Sequence, residues 1–361
     1  MKRKFATAAA ALLAAAALLP IPCAAVSAQK AYVLDAVSGR ILYEKNSQER
    51  SLIASTTKIM TALIVCEQCN VLDRMRIPKE AVGIEGSSMY LREGEILTLQ
   101  ELLYGLMLSS GNDAAVALAI YCGGTVEGFC QLMNDKARNL GLKDTHFENP
   151  NGLDSPDHYS TARDLAKLSA YAMENPIFRK TVSTKQIKVG ERYLTNHNKL
   201  LWRVDGANGV KTGYTKAAGR ILVSSAERNG RRLIAVTLDA PNDWDDHARL
   251  LEEGFARYRV EKILDAGTLV DTVEVIGGEQ GRVQLLAGED FFYAIAPDER
   301  PQLLRGGSGF VYAPAVKGAE AGVAYVMIEG NAVGKVPLVY GETIEQLSED
   351  KKSFWKKVFH K

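Results

Sequence analysis

Between Ile53 and Glu67 the chain reads IASTTKIMTALIVCE, with apolar residues on nearly every side of a helical wheel. A surface helix keeps a polar face, so a helix without one must be enclosed by other elements. The stretch therefore predicts a central helix and a domain built around it. Its start is at odds with that place. Ser55 and Lys58 set a hydroxyl and an amine three residues apart, on one helix face. An N-capping serine and a solvated lysine opposing the helix dipole explain the pair without chemistry. A nucleophile beside its base explains it with chemistry. The spacing alone does not choose, because Ser27/Lys30, Ser348/Lys351 and Ser353/Lys356 share it.

The elements around this helix suggest one α+β domain. Residues 31–35 and 41–43 flank Ser38-Gly39 as a hairpin. Thr98–Ser109 is a second helix, with Glu101 at capping-box spacing from Thr98. A break at Ser110-Gly111 precedes a third helix over Asp113–Ile120, and Val126–Leu140 and Thr161–Met173 follow. Short β-rich runs at 186–189, 192–195, 220–226 and 231–239 lead to a last helix, Ala248–Tyr258. Strands at both ends with helices between predict a sheet that unites the termini of this region. After Val260 the pattern becomes alternating, with Gly-rich breaks, which predicts a small antiparallel β domain. A chain of 361 residues is long enough for both.

The ends have their own character. Lys2, Arg3 and Lys4 precede an apolar stretch, Ala8–Leu19, too short to span a bilayer, and Val26-Ser27-Ala28 suits signal peptidase. Residues 1–28 thus read as a leader, with Gln29 the expected mature N-terminus. At the other end, residues 346–361 contain KKSFWKKVFHK. As a helix, this tail gathers Phe354, Trp355, Val358 and Phe359 opposite its lysines, the pattern of a membrane-surface segment. Export leaves Cys66, Cys69, Cys122 and Cys130. Disulfides and buried thiols both fit them, and no pairing is favoured. The formal net charge of +1 gives no pull toward nucleic acid.

Two further motifs lift Ser55/Lys58 above chance. Ser110-Gly111-Asn112, the only S-x-N, falls in the break between two apolar helices; Lys211-Thr212-Gly213 is the only K-T-G. Three short motifs in this order form a specific signal. On them the mature chain resembles the low-molecular-mass penicillin-binding proteins, specifically serine-type D-alanyl-D-alanine carboxypeptidases. The stretches GSSMYLREGE (86–95), LLYGLMLSSGNDAA (102–115), NPNGLD (149–154) and GVKTGYT (209–215) look like family segments.

The resemblance implies an α+β fold: a β-lactamase/transpeptidase-like catalytic domain over 29–260, an all-β domain over 261–345, then the amphipathic tail. It implies Ser55 as acyl-enzyme nucleophile, Lys58 as base and Ser110 as proton relay to the leaving amine. Asn112 orients Lys58 and the substrate amide, Lys211 and Thr212 bind the substrate carboxylate, and Gly213 makes room for a peptide beside the strand. The amides of Ser55 and Tyr214 form the oxyanion hole. The expected substrates are peptidoglycan stem peptides ending in D-Ala-D-Ala, with β-lactams as covalent inhibitors and no metal or cofactor. The expected location is the outer face of the cytoplasmic membrane, the wall or the periplasm.

The residue types fit that chemistry. A serine hydroxyl needs a neighbouring base, and a lysine serves once burial and a nearby positive charge depress its pKa. His197, shortly before the K-T-G strand, reads as a surface or packing residue. Among rivals, an endopeptidase shares the acylation chemistry. A serine β-lactamase of the class with an E-x-x-x-N loop is disfavoured: Glu127, Glu148, Glu174 and Glu191 each lack asparagine four residues on. A binding protein with a lapsed catalytic fold predicts a broken motif, and all three are intact.

Overall fold

The computed structural model describes residues 26–348. Of the expected tail only 346–348 are described. Gln346 is bridged to Gly278 and the Leu347 amide donates to the Gly277 carbonyl, so these two residues lie on the β domain. The rest of the tail and all but the last three residues of the expected leader lie outside the described residues. Those last three pack on the domain that follows them. Val26 and Ala28 are buried in the cluster of Leu250 and Leu251. The Ser27 amide and hydroxyl both donate to Asp246 Oδ2, at 2.9 and 2.6 Å. Residues 26–28 thus touch the helix that carries Asp246, Leu250 and Leu251 through both side-chain packing and hydrogen bonds.

The hairpin β1 (Lys30–Asp35) and β2 (Ile41–Lys45) closes around the Asp35 carboxylate, which accepts from the amides of Val37 and Ser38. A 3-10 turn, Ala54–Thr57, leads into α1 (Lys58–Gln68). The small ladder β3 (Arg74–Arg76) with β4 (Ile96–Thr98) precedes α2 (Leu99–Leu108), α3 (Asn112–Gly123) and α4 (Val126–Asn139). Then come α5 (Ala162–Ala172), α6 (Pro176–Ser183), the hairpin β5 (Gln186–Val189) and β6 (Arg192–Thr195), and one turn of helix, α7 (Leu200–Arg203). β7 (Ala207–Thr215), β8 (Gly219–Arg228), β9 (Arg231–Leu238) and α8 (Asp243–Arg257) complete the unit. The antiparallel sheet runs β2-β1-β9-β8-β7, so the first strands do pair with the last.

Strand periodicity assigns the two faces of that sheet. Ile234, Val236 and Leu238 of β9 face the α1 core, while Leu233 and Ala235 pack toward α8. As its composition predicted, α1 is enclosed, with every residue from Lys58 to Cys66 buried. The start of the helix differs from expectation. Ala54 takes a left-handed φ of 44°, and Ser55 sits in a 3-10 turn rather than at an α N-cap. In such a turn side chains i and i+3 eclipse, which stacks Lys58 over Ser55. The Thr98–Glu101 capping box is present. Cys69 and Cys122 form a disulfide tying the end of α1 to the end of α3, while Cys66 and Cys130 are free and buried.

The remaining strands are β10 (Arg259–Leu264), β11 (Leu269–Ile276), β12 (Arg282–Ala287), β13 (Phe291–Ile295), β14 (Gln302–Gly306), β15 (Phe310–Tyr312), β16 (Glu320–Ile328) and β17 (Asn331–Tyr340). Six form a sheet in the order β14-β16-β17-β12-β11-β15, and β10 pairs with β13. The pairing is antiparallel apart from β15, which lies parallel to β11. Arg40, just before β2, fastens this sheet structure to the first unit. Its guanidinium donates to both Glu299 carboxylate oxygens (2.6 and 2.5 Å) and to Ala294 O, and it lies 4.5 Å over the Tyr258 ring. Nearby, Arg231 bonds Asp35 and the Tyr258 carbonyl.

Candidate active site

The three motifs meet at the start of α1. Lys58 is fully buried, and its Nζ lies 2.9 Å from Ser55 Oγ, 2.7 Å from Asn112 Oδ1 and 2.6 Å from the Asn151 carbonyl. These partners suit a neutral amine. An NH2 group has two donors and one lone pair: the donors fit the two amide carbonyls, and the lone pair then faces the serine hydroxyl. Burial pushes the Lys58 pKa well below the usual lysine range, the Lys211 charge pushes it further, and Asp113 opposes weakly. Among the described residues no ion pair engages either lysine, so their desolvation prevails.

Lys211 projects from β7 into the same interior. It is fully buried, donates to the Thr212 carbonyl at 2.9 Å, and burial brings its pKa down to about 7. β7 forms one edge of the sheet. Its Gly213 passes so close over the serine turn that a Cβ there would meet the Ser55 amide, the Ile53 carbonyl and Ala54 Cβ, each at 3.3 Å. Thr212 is half-buried, and the Tyr214 side chain turns outward at 66% exposure. Only the backbone of Tyr214 fits the role expected of it.

The second motif is held by the loop before it. Ser110 is buried with φ 61°, a left-handed conformation uncommon for serine. The Asn112 amide donates to Ser87 O at 2.7 Å and its Nδ2 to Glu85 O at 2.5 Å. With its Nδ2 held by the Glu85 carbonyl, the Asn112 side chain turns its oxygen to Lys58. His197 lies apart from the Ser55–Lys58–Asn112 bonds and is exposed.

Sequence reasoning missed a third support for Lys58. Asn149-Pro150-Asn151-Gly152 read as turn chemistry, yet it delivers the Asn151 carbonyl to the lysine. Gly152 has φ +89°, and a Cβ there would come within 1.9 Å of the Ala54 carbonyl. His158 was not singled out either. Its Nδ1 accepts from the Glu148 amide, so Nε2 carries the proton and donates to Thr57 Oγ1 at 2.7 Å. Burial, with His146 and Lys58 facing it, pushes this imidazole down to about 4. Neutral at ordinary pH, it braces the turn that carries Ser55. A histidine ten residues from its backbone partner leaves no periodic signal.

Comparison with known proteins identifies the family. The family model described as D-alanyl-D-alanine carboxypeptidase matches residues 15–242, and that for the C-terminal domain of penicillin-binding protein 5 matches 258–346. The chain is 32% identical to the D-alanyl-D-alanine carboxypeptidase DacF of Bacillus subtilis over 335 residues, 88% of this chain and 86% of that one. Penicillin-binding protein 5 from Haemophilus influenzae superposes with a TM-score of 0.79 at 30% identity, covering 91% of this chain and all of that one. The Streptomyces K15 DD-transpeptidase superposes with a TM-score of 0.62 at 37% identity, covering 64% of this chain and 98% of that one.

Proposed function

The chain belongs to the D-alanyl-D-alanine carboxypeptidase family, and from that premise we propose how its own residues divide the work. It is a serine-type hydrolase that cuts the terminal D-alanine from D-Ala-D-Ala. Neutral Lys58 takes the proton of Ser55 Oγ as that oxygen attacks the carbonyl carbon of the penultimate residue. The amides of Ser55 and Tyr214 hold the developing oxyanion. Ser110 passes a proton to the departing amine, D-alanine leaves, and water, with Lys58 again as base, cleaves the acyl-enzyme ester. Asn112 keeps Lys58 and the substrate amide aligned, Lys211 and Thr212 bind the terminal carboxylate, and Gly213 lets the peptide lie along the free edge of β7.

The observation that carries this reading is a fully buried lysine, without an acid partner, 2.9 Å from a serine hydroxyl. A β-lactam opens on the same nucleophile and stays bound as an ester. Labelled penicillin should therefore add once to the purified protein, on the peptide containing Ser55. Ser55→Ala should lose both the adduct and D-alanine release; an adduct on another serine would overturn the assignment.

Peptidoglycan stems call for an exported enzyme, with residues 1–28 as the leader and the basic, aromatic segment 351–361 of the tail as a surface anchor. The lysines of the tail meet anionic head groups at about 1 kcal/mol each, decaying within a Debye length. Deleting residues 351–361 should release active enzyme from anionic vesicles with peptide kinetics intact. Equal sedimentation of the truncated and full mature chains would rule out the anchor.

A further inference from the structure

The loop that braces the second motif presents one side chain that nothing in the fold uses. The Asp113 carboxylate accepts from the amides of Met89 and Leu91, both at 3.0 Å, and from Ser88 Oγ at 2.6 Å. Met89 and Leu91 point inward and are buried, Met89 filling the space that Gly105 leaves without a Cβ. Tyr90, between them, is 81% exposed at φ 61°. Its backbone is fixed at both ends. The amide donates to Ser88 Oγ at 2.8 Å, and the carbonyl accepts from Arg192, which pairs with Glu95 through two bonds.

A bulky residue is a genuine outlier at this φ, where glycine or asparagine sits easily. The other non-glycine residues with positive φ fall into two groups. Asn46, Asn229, Asp239 and Glu329 are polar, whereas Ala54 and Ser110 lie in the active site. Tyr90 shares its bonding network with Ser110–Asp113 through Ser88 and Asp113, and Asn112 of that stretch bonds Lys58 beside Ser55. Strain that surrounding bonds maintain marks function more often than accident.

We propose that Tyr90 is a substrate-positioning residue at the cleft rim. Its ring packs on the part of the cell-wall substrate that extends beyond the reacting D-Ala-D-Ala end. A tyrosine suits this because it offers a large rigid face and a polar tip at small entropic loss. The proposal rests on the carboxypeptidase reading, but its test is a ratio that any surviving turnover reports. Failure of the Ser55 assignment would instead appear as activity retained in Ser55→Ala.

The experiment compares kcat/KM on a disaccharide-pentapeptide with that on a short diacyl peptide ending in D-Ala-D-Ala. Tyr90→Gly and Tyr90→Asn, both compatible with the backbone, should lower the long-to-short ratio by roughly tenfold, mainly through KM. Tyr90→Phe should restore most of it. Relief of the strained φ should also raise the Tm of the glycine variant. An unchanged ratio, whether both substrates are unaffected or both fall equally, would overturn the proposal and leave Tyr90 a strut of the loop.

Discussion

Two of the regions that enclose cations among the described residues treat them in opposite ways. At the seam, the guanidinium of Arg40 meets the Glu299 carboxylate through two hydrogen bonds and also has a carbonyl and a tyrosine ring. Burial there opposes its charge, but the bonds to Glu299 prevail and raise the Arg40 pKa, while the same bonds lower that of Glu299. In the cleft, Lys58 and Lys211 are buried more completely, are offered only neutral acceptors, and have depressed pKa values. Paired charge fastens one region to another. At Lys58 the unpaired charge is expelled as a proton, and the free amine it leaves is a base.

The largest break in this contrast is loss of the cleft amine itself. Lys58→Ala should slow Ser55 acylation by about 10²–10⁴-fold, the usual contribution of a positioned base, without lowering Tm. Near-native acylation would show that Lys58 is not the base. Lys211→Met should act next. Loss of a charge-assisted contact of roughly 1.5–3 kcal/mol lowers turnover of free-carboxylate peptides by about one to two decades relative to amidated ones. It also removes a positive neighbour, so the pH limb assigned to Lys58 should move to higher pH. Equal losses on both peptides with no shift of the limb would deny Lys211 both roles.

The seam should answer in stability instead. Arg40→Ala strands the mostly buried Glu299 and should cost about 2 kcal/mol, between an exposed and a fully buried pair, with penicillin acylation unchanged. Urea unfolding and acylation on one preparation would measure both; a drop in acylation without a drop in stability would reverse the contrast. The smallest effect is the pH dependence of stability. Lys211 holds its proton up to about pH 7 when folded but to the ordinary 10.5 when unfolded. Across that window the unfolded chain binds the extra proton, so stability rises with pH. Glu299 has a lowered folded pKa, so its contribution is present above the carboxylate range and lost on acidification. Lys211→Met should flatten the alkaline limb and Glu299→Gln the acid one. Unaltered limbs would place the pH dependence elsewhere.

The catalytic side of this contrast was largely legible in the sequence. An all-round apolar helix had to be central, while the chemistry of Lys58 became legible only with the Ser110-Gly111-Asn112 and Lys211-Thr212-Gly213 motifs, since a solvated lysine fitted the spacing to Ser55 equally well. Hairpin and cap signals were local and read correctly at Ser38-Gly39 and Thr98–Glu101. The 3-10 turn was not legible, because the left-handed Ala54 is imposed by distant contacts with Gly152 and Gly213. His158 and the Asn151 carbonyl escaped for the same reason: they act through tertiary bonds, one of them by backbone alone. The seam was invisible, since Arg40 and Glu299 lie 259 residues apart and carry no motif.

The charge state of Lys58 can be observed directly. In the intact mature enzyme with lysines labelled at Cε, an NMR titration would follow each amine, and Lys58→Arg would assign the signal that disappears. A lysine expelled from its charged state by uncompensated burial should titrate well below the ordinary value of about 10.4, and Ser55 acylation should rise along the same curve. Titration of Lys58 at the ordinary value, with acylation already complete at lower pH, would contradict a neutral lysine base.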